Sequence, residues 1–326
     1  MKPIVWASIG CGDVCERKSL PAMYKAAGSR VKGIYARHQA NAQDFAARHQ
    51  VPQVYPTVEA LMHDAEVDIV YISTPPHMHL PYTLQALQAG KHVYVEKPMA
   101  MNYAECVRMC EEAEQRGLHL FVAHYRRALP YFNKVKQWLQ EGAIGNLLGV
   151  NYTMWRPAQP HEMDASTQPW RLKPELSGAG HFFDLAPHVT DIIAYITQSH
   201  YAQAQGFATN HTHWYNAEDA VHGSFLLSNG VAGSIQWIFA TAPTQQQDTL
   251  CFTGTQGQIL CNMFSFEPIV CYTQGQKNIY DIPPPTHIQQ PLVETILQHL
   301  RGQGQCPATG SSALTTAWAM DKFLNR

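Results

Sequence analysis

Ile4-Val5-Trp6-Ala7-Ser8-Ile9-Gly10-Cys11-Gly12-Asp13-Val14-Cys15 is the stretch that decides the fold. An apolar, partly β-branched run reads as a strand, and glycines stand at its end with helix-forming sequence beyond them. In a dinucleotide-binding fold the first glycine permits the tight turn and the second lets the backbone approach a pyrophosphate. The third position needs a small residue where the helix packs on the strand. Gly10 and Gly12 fill the first two places and Asp13 and Val14 continue the loop. Cys15 stands third, small but neither Gly nor Ala.

Outward from this loop, short strand-like runs at 4–9, 31–36, near 54, 68–73, 92–96 and 118–123 alternate with helical stretches. The helices are expected at 19–27, 40–49, 57–64, 80–89 and 102–116. Such alternation builds a parallel sheet with helices on both faces. A first, α/β domain of Rossmann type is therefore expected over residues 1–123. After a helix at 129–141 and the turn Gly142-Ala143-Ile144-Gly145, strand-like runs follow one another at 147–156, 201–208, 220–227, 231–240, 249–253 and 258–263. Asn229-Gly230 marks a hairpin, since both residues tolerate positive φ. Helices are expected at 183–197, 291–301 and 311–324. The expectation for 124–326 is an α+β domain with a large, mostly antiparallel open sheet that binds substrate and mediates oligomerisation.

Composition removes several classes of function. The chain has 326 residues, 45% hydrophobic and only 15% charged, with 23 basic and 25 acidic groups for a net charge of −2. Basic residues do not cluster, so neither a nucleic-acid groove nor a polybasic membrane patch is expected. No apolar run approaches the roughly 18–20 residues of a spanning helix. Met1-Lys2-Pro3 and the short apolar run after it lack the pattern of a secretory signal, and a cytoplasmic location is expected. The eight cysteines form no Cys-x-x-Cys pair and read as buried thiols in a reducing compartment. His77-Met78-His79 and His211-Thr212-His213 bring imidazoles together without a third ligand in view, so no metal site is expected.

The end of the second strand bears on cofactor choice. NAD enzymes place an Asp or Glu there to bind the ribose 2′-hydroxyl. This chain has Tyr35-Ala36-Arg37-His38, with no carboxylate and with an Arg for a 2′-phosphate, so NADP(H) is expected in preference to NAD(H). Lys97, in Glu96-Lys97-Pro98, closes the fifth strand at the carboxyl edge of the sheet, where ligands of open α/β folds bind. Pro98 keeps Lys97 out of helical geometry.

Farther along, Asp184, His188 and Asp191 are spaced four and three apart and share one helix face. His181 and Tyr195 fall on the same arc, and Leu185, Val189, Ile192, Ile193 and Ile196 cover a neighbouring one. An Asp beside a His orients the imidazole and stabilises its charged form, which suits the His to accept a proton near neutral pH. Pro187 is expected in the first turn, where amide hydrogens lack intrahelical partners.

These residues resemble the glucose–fructose oxidoreductase/inositol dehydrogenase (Gfo/Idh/MocA) family over nearly the whole chain. The matching segments are Ile9-Gly10-Cys11-Gly12-Asp13-Val14, Ser73-Thr74-Pro75-Pro76-His77-Met78-His79 and Ala89-Gly90-Lys91-His92-Val93-Tyr94-Val95-Glu96-Lys97-Pro98. Gly142-Ala143-Ile144-Gly145, the Trp170 to Gly180 segment and Asp184-Leu185-Ala186-Pro187-His188-Val189-Thr190-Asp191 complete the match. The resemblance implies that Lys97 is the active-site lysine, often followed by a cis proline. It also makes Asp184 the substrate-positioning acid and His188 the acid/base histidine. Thr74 and Glu96 match the nicotinamide end of the cofactor cleft, and Pro75, His79 and Lys97 join Gly10, Gly12, Asp13, Val14, Ala36 and Arg37 as expected cofactor contacts. Tyr125 stands where many members carry Asn, and Lys18-Ser19 after the glycine loop is not general in the family.

The function expected is NAD(P)-dependent hydride transfer between nicotinamide and a secondary alcohol or ketone of a sugar, cyclic polyol or related small polar molecule. Lys97, Tyr125, Trp170, Arg171, Asp184 and His188 are the expected substrate contacts. Trp155 and Arg156 are either sugar-facing or packing groups. An NAD-dependent glycosidase using transient oxidation is the alternative, and a nucleotide-sensing regulator a weaker one, since it has no need of Lys97 and His188 together. The broad sheet and low charge density point to a homodimer or homotetramer.

Overall fold

The structure, a computed structural model, describes residues 2–326. The chain divides into two compact units, Met1–Leu129 with Pro285–Leu314, and Pro130–Pro284 with Thr315–Arg326. The boundary expected after residue 123 lies close to the first of these breaks. A second domain running uninterrupted from 124 to the end is not what the structure shows, because 285–314 returns to the first unit.

The first unit contains β1 (Ile4–Ile9), α1 (Leu20–Lys25), β2 (Ser29–Tyr35), α2 (Gln39–His49), β3 (Gln53–Val54), α3 (Val58–Met62) and β4 (Ile69–Ile72). They are followed by α4 (His79–Gln88), β5 (His92–Val95), α5 (Tyr103–Gln115) and β6 (Leu120–Val122). A π-helical segment, Cys15–Ser19, leads into α1. All strand pairs are parallel in the order β3-β2-β1-β4-β5-β6, the doubly wound order of dinucleotide-binding folds. The central strands read as continuous apolar runs because helices cover both faces; every residue of β4 is fully buried. Trp6 meets Tyr94 edge-on at 6.1 Å, and Tyr71 stacks on Tyr94 at 5.2 Å. The returning segment joins this core through Gln289, fully buried, whose side-chain oxygen accepts from the Tyr94 hydroxyl at 2.7 Å.

The second unit begins with α6 (Pro130–Gln140), β7 (Leu147–Trp155), α7 (Pro160–Met163), α8 (Pro174–Ser177) and α9 (His181–Thr197). Next come β8 (Tyr201–Thr209), β9 (Ala220–Leu227), β10 (Ala232–Ile238), β11 (Gln247–Gly254), β12 (Gly257–Cys261), β13 (Ile269–Thr273) and β14 (Gln276–Tyr280). The helix α10 (Gln290–Leu300) belongs to the first unit, and α11 (Gly310–Phe323) contributes residues to both. The eight strands run in the order β14-β13-β12-β11-β7-β10-β9-β8, antiparallel except for the parallel pair β10–β7. Alternation along β7 buries Val150, Tyr152 and Met154 and leaves Asn151 exposed. On the buried side Tyr152 packs on Trp237 (4.9 Å), and Trp237 meets Phe182 of α9 edge-on (5.7 Å).

Local chemistry explains where the expected elements changed. The β13–β14 hairpin was not anticipated; its turn places Gln274 and Gly275 at φ 50° and 75°, the paired left-handed conformation of a tight hairpin. At Asn229-Gly230 only the glycine adopts positive φ (86°), while Asn229 Oδ1 instead accepts from the Val231 amide at 3.2 Å. The helix expected from 183 starts at His181, so Pro187 lies past the first turn, inside α9.

Candidate active site

Each unit carries its own constellation. In the first, β1 ends at Gly10, whose amide donates to Tyr35 O at 2.8 Å and whose φ is 108°. A Cβ there would lie 2.7 Å from Ser73 Oγ and 2.8 Å from Ser73 O, so only glycine fits where the loop after β1 passes the end of β4. At Gly12 the reverse holds: a Cβ would meet nothing within 4 Å, leaving the backbone open to a ligand. Cys15 is fully buried against Ser8 Oγ at 3.6 Å, and burial pushes its thiol up to about 12. It does the packing work of the third small residue and is chemically quiet. Asp13 pairs with Arg17 at 2.9 Å on the surface, and Val14 is half-buried.

Ala36 is buried after β2 and Arg37 is exposed beside it. The Gln39 amide fixes this corner by donating to Ala36 O (3.3 Å) and Tyr55 O (3.1 Å). After β4, Thr74 Oγ1 is buried with no hydrogen-bond partner among the described residues, and Pro75 leads into a short 3-10 turn, Pro76–Met78. An open backbone at Gly12 and an unsatisfied hydroxyl at Thr74 fit a dinucleotide that brings its own polar atoms.

His79 departs from its expected role as a cofactor contact. Its ring is buried, with Nδ1 at 2.9 Å from Pro98 O and Nε2 at 2.8 Å from Thr74 O. Both nitrogens face backbone carbonyls, and desolvation lowers the imidazole to about 4. His79 therefore braces the Thr74 loop against the Lys97-Pro98 turn, whose peptide bond is cis.

Glu96 is likewise buried and committed to structure: Oε1 accepts from Tyr71 Oη (2.8 Å) and Gln289 Nε2 (2.7 Å), and Oε2 from the Lys97 amide (3.2 Å). The Tyr71 hydroxyl also lies 2.6 Å from Ser19 Oγ. This network holds the Glu96 carboxylate, which in turn accepts the Lys97 amide. Tyr125 is buried; its hydroxyl accepts from Arg126 at 3.0 Å, and that guanidinium lies 5.0 Å above its ring.

In the second unit α9 places Asp184 and His188 one turn apart, with His188 5% exposed. Arg171 Nε lies 3.2 Å from Asp184 Oδ2, and its guanidinium stacks 4.5 Å over Trp170. Trp170, Arg171 and Asp184 thus form one connected group, with His188 one turn farther along α9. The rest of the proposed polar stripe has partners on other elements. Asp191 is buried and accepts from Thr316 Oγ1 at 3.2 Å, and Tyr195 donates to Asn133 Oδ1 at 2.8 Å.

His181 belongs to a separate buried ion network, with its Nε2 3.0 Å from Glu162 Oε1 and Arg156 Nη2 2.7 Å from the same oxygen. Burial alone would raise the Glu162 carboxyl, but hydrogen bonds from His181, Arg156 and the Gln159 amide hold it down at about 2. Arg156 is tied into this network, with its guanidinium 5.5 Å over Phe239. Trp155 Nε1 donates to Gln236 at 3.1 Å on the sheet face opposite Tyr152 and α9.

Sequence reasoning missed Glu162, although Gln159-x-x-Glu162 has the spacing of a helix capping box and forms one. It also missed Asp248, Phe264 and Gln289, for which no local pattern exists. Among the described residues no group of three or more His, Cys, Asp or Glu is placed to hold a metal ion, and no helix is long and apolar enough to cross a membrane.

A doubly wound nucleotide cradle in one unit and an acid–imidazole helix under an open sheet in the other define an NAD(P)-dependent oxidoreductase class. Residues 4–124 match the model of an oxidoreductase family with an NAD-binding Rossmann fold, and 132–260 match the GFO/IDH/MocA C-terminal domain. The chain belongs to the Gfo/Idh/MocA oxidoreductase family. It is 32% identical over 321 residues to Oxidoreductase P35 of Formosa agariphila, covering 98% of both chains. It is 26% identical to a 1,5-anhydro-D-fructose reductase of Ensifer adhaerens, covering 95% of this chain and 92% of that one. In fold it is similar to levoglucosan dehydrogenase solved with NADH and levoglucosan, with a TM-score of 0.87 at 20% identity. That match covers 99% of this chain and 97% of the other.

Proposed function

We propose that this oxidoreductase transfers hydride between a nicotinamide and a secondary alcohol or ketone of a sugar, cyclic polyol or related small polar molecule. The observation that carries the reading is α9. This largely apolar, buried helix holds Asp184 and His188 one turn apart, in a chain whose first unit has the dinucleotide cradle. The nicotinamide, when bound, supplies the C4 position that accepts or gives the hydride. His188 takes the hydroxyl proton in oxidation and returns it in reduction. Lys97 hydrogen-bonds the same oxygen and stabilises the negative charge that develops on it. Asp184, held by Arg171, binds a substrate hydroxyl or orients the imidazole. Trp170 offers an aromatic face to the C–H side of a ring, and Tyr125 completes the set of substrate residues.

The cofactor site comprises Gly10, Gly12, Asp13, Val14, Ala36, Arg37, Thr74, Pro75 and Lys97, with Glu96 behind it holding the Lys97 amide. His79 supports it through the carbonyls of Thr74 and Pro98. Arg37, exposed where a ribose-binding carboxylate would otherwise stand, favours NADP(H) over NAD(H). The protein acts in the cytoplasm as a homodimer or homotetramer. Support for assembly comes from the open face of the sheet, where Asn151, Thr153, Gln205, His222, Ser234 and Gln236 project. None of β7–β10 contains an Asp, Glu, Lys or Arg, which suits a face buried in a partner copy.

Lys97→Met tests the catalytic assignment. The variant should bind NADPH as the wild type does and lose most of its turnover on the best substrate from a sugar and polyol screen; unchanged turnover overturns the role of Lys97.

A further inference from the structure

Behind His188 lies a device that the expected chemistry does not use. The connection between β12 and β13 brings Phe264 against the His188 imidazole, ring centres 6.0 Å apart and planes at 71°. This connection is not a loose loop. The Asp248 carboxylate, on β11, accepts the amides of Met263 (3.0 Å), Phe264 (2.7 Å) and Ser265 (3.4 Å), and the Tyr152 hydroxyl at 2.9 Å. Asn262 Nδ2 donates to Asp248 O. Tyr131 ties the two ends, accepting from the Asn262 amide (3.0 Å) and donating to Glu267 O (2.8 Å).

The segment carries strain that such bonds must hold. Phe266 sits at φ 52°, a left-handed conformation that a bulky side chain rarely adopts. Its ring is wedged edge-on to Tyr131 (5.4 Å) and Phe132 (6.0 Å). Three successive amides converging on one carboxylate form the cradle that elsewhere binds anions, here filled from within.

We propose that Asp248 is a positioning residue for the acid–base step, holding segment 262–266 so that Phe264 packs against and restrains the His188 imidazole. The inference rests on His188 as the acid–base group. Phe264 limits the rotation of the ring and keeps water from one side of it, so the proton acceptor is preset rather than hydrated and mobile. An Asn at 248 offers one acceptor oxygen where two now serve four donors, and its amide hydrogens would face amide hydrogens.

The test compares Asp248→Asn, Phe264→Ala, the double variant and Phe264→Tyr with the wild type, at saturating cofactor, in the oxidative direction. Hydrating the imidazole favours its charged form, so the acidic limb of the kcat profile moves to higher pH. His181, Asp184, Asp191 and Tyr195, the other titratable groups on α9, are untouched by these substitutions. Phe264→Ala should lower kcat about tenfold at neutral pH, recover at high pH, and leave cofactor KM unchanged; Asp248→Asn should move the limb the same way by less, because the lost carboxylate charge opposes the shift. Phe264→Tyr should restore the wild-type profile, and the double variant should match Phe264→Ala.

A wild-type profile in Asp248→Asn, a loss uniform across pH, or additive losses in the double variant would each overturn the proposal. If Asp248→Asn does not fold, Phe264→Ala, which keeps the carboxylate clamp, reads the same limb; an unmoved limb overturns it. His188→Asn separates the two claims. Retained turnover there refutes the acid–base reading itself, whereas lost turnover beside an unmoved limb in Phe264→Ala refutes only the positioning role.

Discussion

Two glycines two residues apart should respond to the same substitution in opposite ways. In Gly10→Ala the new methyl would lie 2.7 Å from Ser73 Oγ and 2.8 Å from Ser73 O, at a φ of 108°. Holding a non-glycine residue in such a region costs about 1–3 kcal/mol, before the two contacts are relieved. For a unit of this size about 2–4 °C of melting temperature is lost per kcal/mol, so Gly10→Ala should melt roughly 5–10 °C lower. In Gly12→Ala the methyl meets nothing within 4 Å, and the apo protein should melt as the wild type does. The cost appears only with ligand, because the methyl fills the space through which backbone amides reach a pyrophosphate. Hydrogen bonds to a charged group contribute about 1.5–3 kcal/mol, so losing one weakens dinucleotide affinity roughly ten- to a hundredfold. Thermal melts without ligand and fluorescence titrations with NADPH separate the two effects. Wild-type affinity in Gly12→Ala, or an unshifted melt in Gly10→Ala, would refute the reading of the loop.

Arg37→Ala should weaken NADPH binding about ten- to a hundredfold and leave NADH binding nearly unchanged, since only the 2′-phosphate takes a charge-assisted bond. Equal effects on both cofactors, measured by titration, would remove Arg37 from the site. Glu162 gives a pH signature. Its folded pKa of about 2 lies below the unfolded value, so its stabilisation is present above about pH 4.3 and is lost as pH falls towards 2. Melting temperature should therefore fall more steeply with acid in the wild type than in Glu162→Gln across that window, and parallel curves would contradict the assignment.

What could be read from sequence was local. The Gly10–Gly12 spacing, the Lys97-Pro98 pair and the one-turn separation of Asp184 and His188 are each set by neighbouring residues. Each sits in the structure on the element expected for it. Arg171 could be named but not paired, because its ion partner Asp184 lies across the α8 turn and the start of α9.

The remainder depends on strand order. Asp248 reaches 263–265 because β11 and β12 are adjacent and antiparallel, a pairing that no periodicity specifies. Gln289 reaches Glu96 because 285–314 returns to the first unit, and its sequence signal is only that of a helix start. Asp191 looked equivalent to Asp184 by spacing, yet α11 covers it through Thr316. Gln274-Gly275 was a signal that could have been used, and it announces the missed hairpin.

The central claim is net hydride transfer from a carbinol carbon. The most direct measurement is to supply an active sugar or polyol deuterated at the reacting carbon, with the preferred oxidised cofactor, and to follow the label by mass spectrometry and NMR. The account predicts deuterium at the nicotinamide C4, one equivalent of reduced cofactor per ketone formed, and loss of both in His188→Asn. Sugar released by glycosidic cleavage with no net reduced cofactor would contradict it.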